Sequence, residues 1–236
     1  MKTITIGKID PSIKEVLKRL VLTDLDFNVV GGLLCQYYLK DHARYTKDVD
    51  IVFYSEPKVV EEKLKHAFGE IYFSYDEETE NFYEPSFTCF SKVNGLNGQI
   101  EGKRISFFSD IRVEQYFFEG VIFWGACIEY VIAEKLVSLL NELTRPYKHL
   151  VDIYSFTKID QSHLNKEEIK KYVLLINEQE NKYRKSANLK EYILPKRIPE
   201  NKEFKPPFAV PTFQSKYNVC KEEMIESINE WLKTIL

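Results

Sequence analysis

The feature that most constrains this chain is an Asp-x-Asp pair, Asp48 and Asp50, within an otherwise apolar segment. The neighbouring residues Val49, Ile51 and Val52 favour a β-strand, and residues two apart in a strand project from the same face. Two carboxylates held side by side repel each other by about 1 kcal/mol or more. Such a pair is common on solvated strand faces, and it is also tolerated where a bound cation screens the charges. Mg²⁺ typically takes one or two protein carboxylates together with substrate phosphates.

A pair of glycines precedes the two aspartates. Gly31-Gly32 follows the apolar run Phe27–Val30 and comes before a segment of helical length. We expect a tight strand-to-helix turn here, because glycine adopts backbone conformations that other residues avoid. Glycines at a helix N-terminus also let backbone N–H groups approach an anion closely. The sequence thus predicts a phosphate-sized backbone cradle beside a metal-sized carboxylate pair.

The order of these elements is typical of a metal-dependent nucleotidyl transfer site. Strand, Gly-Gly turn, helix and Arg-x-Thr-x-Asp-x-Asp resemble the signature of the nucleotidyltransferase superfamily. The resemblance is greatest to the AbiEii/AbiGii-type toxins of bacterial abortive-infection (type IV toxin–antitoxin) systems, whose signature is Gly-Gly or Gly-Ser, a short helix, Arg-x-Ser/Thr and Asp-x-Asp. It implies that Gly31, Gly32 and Thr46 contact a nucleotide, and that Asp48 and Asp50 are catalytic and hold Mg²⁺ or Mn²⁺.

The resemblance also implies a third catalytic, metal-binding carboxylate on a neighbouring strand. Asp110 is the best-placed candidate, because it leaves a predicted strand that follows the turn-forming segment 94–98. Glu101 and Glu114 are its rivals. An aspartate at the end of a strand is also a common turn former, so a purely structural role for Asp110 stays open.

A second block lies in the helical half of the chain. This block resembles the family's Glu-Lys-Leu and Arg-Asp-x-x-Asp blocks. The matching residues are Ala-Glu-Lys-Leu, which contains Lys135, then Arg145, then Val-Asp-Ile-Tyr, which contains Asp152. The chain departs from that pattern at Lys148-His149, where the family usually has Arg-Asp. The resemblance implies that Lys135 neutralises triphosphate charge and that Asp152 belongs to the nucleotide site. The alternatives are a lysine that snorkels to the helix edge and an ordinary surface aspartate.

Length and composition fit an ordinary globular protein. The 236 residues have room for one large domain or two modest ones, and the net charge of -3 argues against nonspecific coating of nucleic acid. No apolar run reaches the roughly 20 residues of a membrane span, and the first residues lack a signal-peptide core, so we expect a cytoplasmic protein. The four cysteines form no zinc or disulfide pattern, which leaves Asp and Glu as the expected metal ligands.

The predicted fold class is α/β (α+β). We expect a nucleotidyltransferase-like mixed sheet with flanking helices over residues 1–125, followed by a helical C-terminal region over 126–236 that closes a nucleotide cleft. Within that region, several prolines predict an extended segment at 195–213.

These patterns predict an enzyme that transfers NMP from an NTP to an acceptor hydroxyl, with Mg²⁺ or Mn²⁺ as cofactor. The resemblance implies a growth-inhibiting toxin, with RNA such as tRNA as acceptor and a separately encoded antitoxin as partner. One alternative is transfer to a small hydroxyl compound, as by antibiotic nucleotidyltransferases, which the acidic composition favours. Another is a catalytically inactive module of the same fold that only binds nucleotide or a protein. A basic groove would favour RNA.

Overall fold

The computed structural model describes residues 1–5, 8–69, 71–75, 84–105, 108–141, 147–186, 188–198 and 219–236. The strands are β1 (Lys2–Ile4), β2 (Phe27–Val30), β3 (Val49–Phe53), β4 (Ile71–Tyr75), β5 (Glu84–Val93), β6 (Leu96–Arg104), β7 (Val113–Phe118) and β8 (Val121–Ala126). The α-helices in these ranges are α1 (Ser12–Leu22), α2 (Gly32–Leu39), α3 (Pro57–Phe68), α4 (Ile128–Leu140), α5 (Tyr147–Thr157), α6 (Lys166–Ser186) and α7 (Lys221–Leu232). Within the same described ranges, two short 3-10 helices cover Lys40–His42 and Phe108–Asp110.

The chain divides into two compact units. The first comprises Met1–Asp41 and Tyr45–Cys127, and the second comprises His42–Arg44 and Ile128–Leu236. The sheet belongs to the first unit, and helices α4 to α7 belong to the second. Arg145 and the part of the proline-rich segment from 199 onward lie outside the described residues.

One eight-stranded mixed sheet forms the frame of the first unit, with the strand order β1-β7-β8-β2-β3-β6-β5-β4. β3 runs antiparallel to β2 and parallel to β6, so it is a central strand with a neighbour on each side. β1 and β4 form the two edges. This mixed sheet with its helices confirms the predicted α/β fold class.

Helix α1 packs against the sheet through an apolar stripe. Its buried residues recur at helical spacing, and Asp10 Oδ1 accepts a hydrogen bond from the Ser12 N–H at 2.9 Å near the start of the helix. A Cβ atom on Gly98 of β6 would lie only 2.7 Å from Val16 Cγ2 of α1. The glycine therefore lets the helix approach the strand closely.

The β5–β6 hairpin is tighter than predicted. Asn94 and Gly95 alone form its turn, with φ of 50° and 80°, which is the left-handed conformation that two-residue hairpin turns require. β6 therefore begins at Leu96 and ends at Arg104, earlier in the chain than the strand we expected between the segment 94–98 and Asp110. This shift decides which carboxylate faces the aspartate pair.

The second unit is built on α4, which is buried along almost its whole length. Tyr130 of α4 meets Tyr172 of α6 edge to face, with ring centroids 5.9 Å apart. Asn165 caps α6, because its Oδ1 accepts a hydrogen bond from the Glu168 N–H at 3.1 Å. Across the described ranges, no helix combines the length and the apolar character that crossing a bilayer requires.

Candidate metal and nucleotide site

The glycine turn and the aspartate pair lie side by side in the first unit. β2 ends at Val30, Gly31 makes the turn, and α2 begins at Gly32. The antiparallel pairing of β2 and β3 places Val30 opposite Asp50. Asp48 lies just before β3 and is buried, whereas Asp50 is partly exposed. The structure thus places the glycine turn beside the aspartate pair, as the sequence predicts.

Gly31 is required by the position of Asp50. Its φ of 74° suits glycine, and a Cβ atom there would lie 1.8 Å from Asp50 Oδ2. The Gly32 N–H donates a hydrogen bond to the same oxygen at 3.3 Å, so the N-terminus of α2 faces the Asp50 carboxylate. The predicted contact between this N–H group and a phosphate stays a prediction.

Glu101 completes a group of three carboxylates. In the parallel pairing of β3 with β6, Asp50 and Glu101 are direct partners. One carboxylate oxygen from each of Asp48, Asp50 and Glu101 lies within 4.8 Å of the other two. Three oxygen ligands at this spacing fit a hard divalent cation such as Mg²⁺. Gln99 orients the third carboxylate, because its Nε2 donates a hydrogen bond to Glu101 Oε1 at 2.7 Å.

The structure favours Glu101 over Asp110 as the third carboxylate. Asp110 is exposed in the 3-10 helix Phe108–Asp110, well past the end of β6, and lies outside the group that the described residues form. Glu114 of β7 instead pairs with Lys2 and Arg112. Glu101 rather than Asp110 lies beside Asp50 because β6 starts earlier than we expected, which sets its register with β3.

Thr46 is a fully buried anchor of the segment before Asp48. Its hydroxyl accepts a hydrogen bond from Gln36 Nε2 at 2.9 Å. Its backbone carbonyl accepts a hydrogen bond from the Asp10 N–H, and its backbone N–H donates one to the Lys8 carbonyl, each at 2.8 Å. These bonds hold the approach to the aspartate pair in place. The predicted nucleotide contact of Thr46 is a separate matter and stays a prediction.

In the second unit, Lys135 and Arg44 both pair with Asp152. Lys135 Nζ lies 2.8 Å from Asp152 Oδ2, and Arg44 Nε lies 3.1 Å from Oδ1. Lys135 is 4% exposed and Asp152 1%, so this is a buried ion pair and neither alternative of a snorkelling lysine or a surface aspartate holds. Burial alone would raise the pKa of Asp152, but the two cations outweigh it and lower the pKa to about 2.

His149 lies beside this ion pair. Burial lowers its pKa well below the ordinary 6.5, and the charges of Lys135, Lys148 and Arg44 add to that effect against the opposing charge of Asp152. Its Nδ1 atom is buried and has no hydrogen-bond partner among the described residues. The imidazole is therefore neutral at pH 7.

Sequence reasoning identified Lys135 and Asp152 but gave no role to Arg44. The available signal was the Arg-x-Thr part of the first motif, which places Arg44 two residues before Thr46. Its ionic partner Asp152 lies on α5, far along the chain, and no local pattern connects the two residues. A contact between Lys135 and a triphosphate stays a prediction.

No protein-family model matches the sequence, and no curated protein matches it. The solved structures that match at the level of fold include two from Helicobacter pylori. A candidate nucleotidyltransferase from H. pylori is 14% identical, with a TM-score of 0.51 over 94% of this chain and 91% of that chain. JHP933 from Helicobacter pylori is also 14% identical, with a TM-score of 0.51 over 94% of this chain and 88% of that chain. At this identity the likeness concerns the fold, which is nucleotidyltransferase-like.

Proposed function

We propose that this chain is a metal-dependent nucleotidyltransferase that transfers NMP from an NTP to an acceptor hydroxyl and releases pyrophosphate. The observation that carries the proposal is the convergence of the Asp48, Asp50 and Glu101 carboxylates beside the glycine turn. The likeness in fold to a candidate nucleotidyltransferase supports it. The three oxygen donors fit Mg²⁺, with Mn²⁺ as the alternative.

The residues of the first unit position the reactants. A divalent ion held by the three carboxylates would supply Lewis-acid chemistry to the phosphoryl oxygens and the acceptor hydroxyl. Gly31 keeps the space beside Asp50 free of a side chain, and the N-terminus of α2 favours negative charge nearby. Thr46 and Gln36 hold the segment that leads to Asp48. Positioning and charge neutralisation are the main contributions a protein makes to such a transfer.

In this proposal Lys135 counters the charge of the triphosphate. Asp152 Oδ2 accepts a 2.8 Å hydrogen bond from the ammonium group, and Arg44 Nε donates a hydrogen bond to the same oxygen at 3.2 Å and lies 3.1 Å from Oδ1. Asp152 therefore acts as a positioning residue for Lys135. The pKa of Asp152, lowered to about 2, keeps it ionised for this purpose at neutral pH.

The acceptor we propose is RNA such as tRNA, and the biological role is that of a toxin with a separately encoded antitoxin, acting in the cytoplasm. The support is the resemblance of the two sequence blocks to the AbiEii/AbiGii-type toxins. A small hydroxyl compound is a second candidate acceptor, favoured by the acidic pI of about 5.9.

The test is transfer of label from each α-labelled NTP, with Mg²⁺ present, to total tRNA, to protein and to small hydroxyl compounds. We expect labelled tRNA with the unaltered protein and none with the Asp48→Ala/Asp50→Ala variant. Asp24→Ala is the matched control, since it removes an exposed carboxylate of the same unit. Mn²⁺ binding followed by electron paramagnetic resonance gives a second readout.

Undiminished transfer in a folded Asp48→Ala/Asp50→Ala protein would overturn the assignment. Label found only on small compounds would replace the RNA acceptor with the second candidate. A protein that binds Mn²⁺ and NTP but labels nothing would be the inactive nucleotide-binding module.

A further inference from the structure

An open groove of about 1080 Å³ lies on the β4-β5-β6 part of the sheet in the first unit. An aromatic pair, Tyr72 of β4 and Phe90 of β5, lines the groove, and Gln99 of β6 lies beside Phe90. Lys47 and Lys92 also line the groove, and both are exposed. The groove thus combines planar apolar rings with positive charge.

Tyr72, Phe90 and Gln99 line the groove from the face of the sheet that also carries the carboxylate group. Tyr72 is the direct partner of Phe90, and Phe90 is the direct partner of Gln99. Gln99 and Glu101 are two apart in β6, so they project from the same face about 7 Å apart along the strand. The 2.7 Å hydrogen bond from Gln99 Nε2 to Glu101 Oε1 links the groove to the candidate metal site.

The two rings are unusually exposed for their positions. Tyr72 is 68% exposed and Phe90 45%, whereas Cys89 and Ser91, whose side chains point to the opposite face, are buried. The core therefore lies on the other side of these strands, and packing within it does not explain the rings. Exposed aromatic side chains on a sheet are a common platform for stacking single-stranded bases.

The charge of the groove complements a polyanion. Lys47 and Lys92 are exposed at its lining and Asp10 is its acidic residue, so the lining carries a net positive charge in a chain whose net charge is -3. Lysines beside stacking aromatic rings form the usual combination for a nucleic-acid backbone and its bases.

We infer that this groove, defined by Tyr72, Phe90, Gln99, Lys47 and Lys92, binds a single-stranded RNA segment of the acceptor. The bases stack on Tyr72 and Phe90, and the lysines contact phosphates. The direction from Phe90 past Gln99 to Glu101 leads the RNA toward the carboxylate group. Delivery of a hydroxyl for transfer rests on the proposed function, while binding of the RNA does not.

The test measures RNA binding without metal or NTP. A fluorescein-labelled single-stranded RNA of about ten nucleotides is titrated with the full chain in the presence of EDTA, and its anisotropy is followed at several salt concentrations. We expect Tyr72→Ala and Phe90→Ala each to weaken binding about tenfold, and Tyr72→Phe and Phe90→Tyr to retain it. Lys47→Ala and Lys92→Ala should each reduce the magnitude of the salt slope by about 0.7.

The control is Trp124→Ala, which removes a 52% exposed aromatic ring from β8, outside the groove. Equal affinities of the Trp124→Ala and Phe90→Ala proteins, or equal binding of single-stranded and duplex RNA, would overturn the inference. Failure of the proposed function looks different. In that case Asp48→Ala/Asp50→Ala and the unaltered protein bind the RNA equally through the groove, and neither transfers label to it.

Discussion

Gly31 and Asp50 approach so closely that no side chain fits at position 31. A Cβ atom there would lie 1.8 Å from Asp50 Oδ2, and the φ of 74° is unfavourable for other residues in any case. Gly69, at the end of α3, has almost the same φ of 75°, but a Cβ atom there meets nothing within 4 Å among the described residues. Substitutions at Gly31 and Gly69 therefore share the cost of backbone strain, and only a substitution at Gly31 adds the cost of a collision.

We predict that Gly31→Ala destabilises the protein more than Gly69→Ala does. Both substitutions carry the strain of a positive φ, about 1–2 kcal/mol, and only Gly31→Ala adds a collision with a carboxylate. Urea unfolding of the two variants measures the difference. A Gly31→Ala/Asp50→Ala protein should recover part of the loss, because the second change removes the two nearest colliding atoms, Oδ2 and Cγ of Asp50. Equal losses at the two glycines would contradict the geometry.

Substitution of the third carboxylate distinguishes Glu101 from Asp110. We expect Glu101→Gln to lower nucleotidyl transfer about 100-fold or more and to weaken Mn²⁺ binding, because it removes one of three charged ligands. Asp110→Asn should change neither, since Asp110 is exposed and outside the group. Initial rates of label transfer and Mn²⁺ titration check both variants. The reverse order would restore Asp110 as the ligand.

The buried ion pair predicts unequal costs for its members. Asp152→Asn leaves Lys135 and Arg44 without the carboxylate that both contact, whereas Lys135→Met leaves Asp152 still paired with Arg44. Breaking a buried pair typically costs about 3–5 kcal/mol, and we expect Asp152→Asn at the upper end and Lys135→Met below it. Urea unfolding measures both. Lys182→Ala, which breaks an exposed pair with Glu178, should stay within about 0.5 kcal/mol of the unaltered protein.

His149 predicts a loss of stability in mild acid. Its pKa is lower in the folded protein than the ordinary 6.5, so the unfolded chain takes up a proton first as pH falls. Stability is therefore fully present above about pH 6.5 and falls below it, by up to about 1.4 kcal/mol per pH unit, until the folded-state pKa is reached. Asp152 affects the pH dependence only at lower pH, because its stabilising contribution is fully present above its ordinary pKa of 3.8 and is lost as pH falls toward the folded-state pKa of about 2.

Unfolding free energies between pH 7 and 5 test this prediction. His149→Leu should flatten the slope in that range, because the group that titrates is gone. His163→Asn, a change at an exposed histidine of the same unit, controls for the loss of a histidine as such. A slope that persists in His149→Leu would mean that another group is responsible.

The part of the site that follows from local pattern was predictable. Alternation along a strand places Asp48 and Asp50 on one face, and a Gly-Gly pair between strand and helix predicts the turn beside them. Glu101 could be named only as a rival, because its place depends on the pairing of β3 with β6, which joins distant parts of the chain. No local rule gives the register of two such strands.

The role of Gly98 also could not be predicted from the local sequence. As a glycine near Asn94-Gly95 it suggested a longer turn, but it lies inside β6, where its missing side chain makes room for Val16 of α1. Glycine serves turns and close packing equally well, and only the helix above the strand decides between them. Glu101 thus lies inside β6, whereas the sequence favoured Asp110 at the end of a later strand.

The membership of His42–Arg44 in the second unit has a consequence for how this protein can be divided or recombined. A single cut after Cys127 would give a C-terminal fragment that keeps Lys135 and Asp152 but lacks Arg44. In a chimera formed by a genetic crossover at the same point, Asp152 would instead meet the residue that the foreign N-terminal half has at position 44. The two halves of this chain must therefore be exchanged together, or Arg44 must be carried across with the helices it serves.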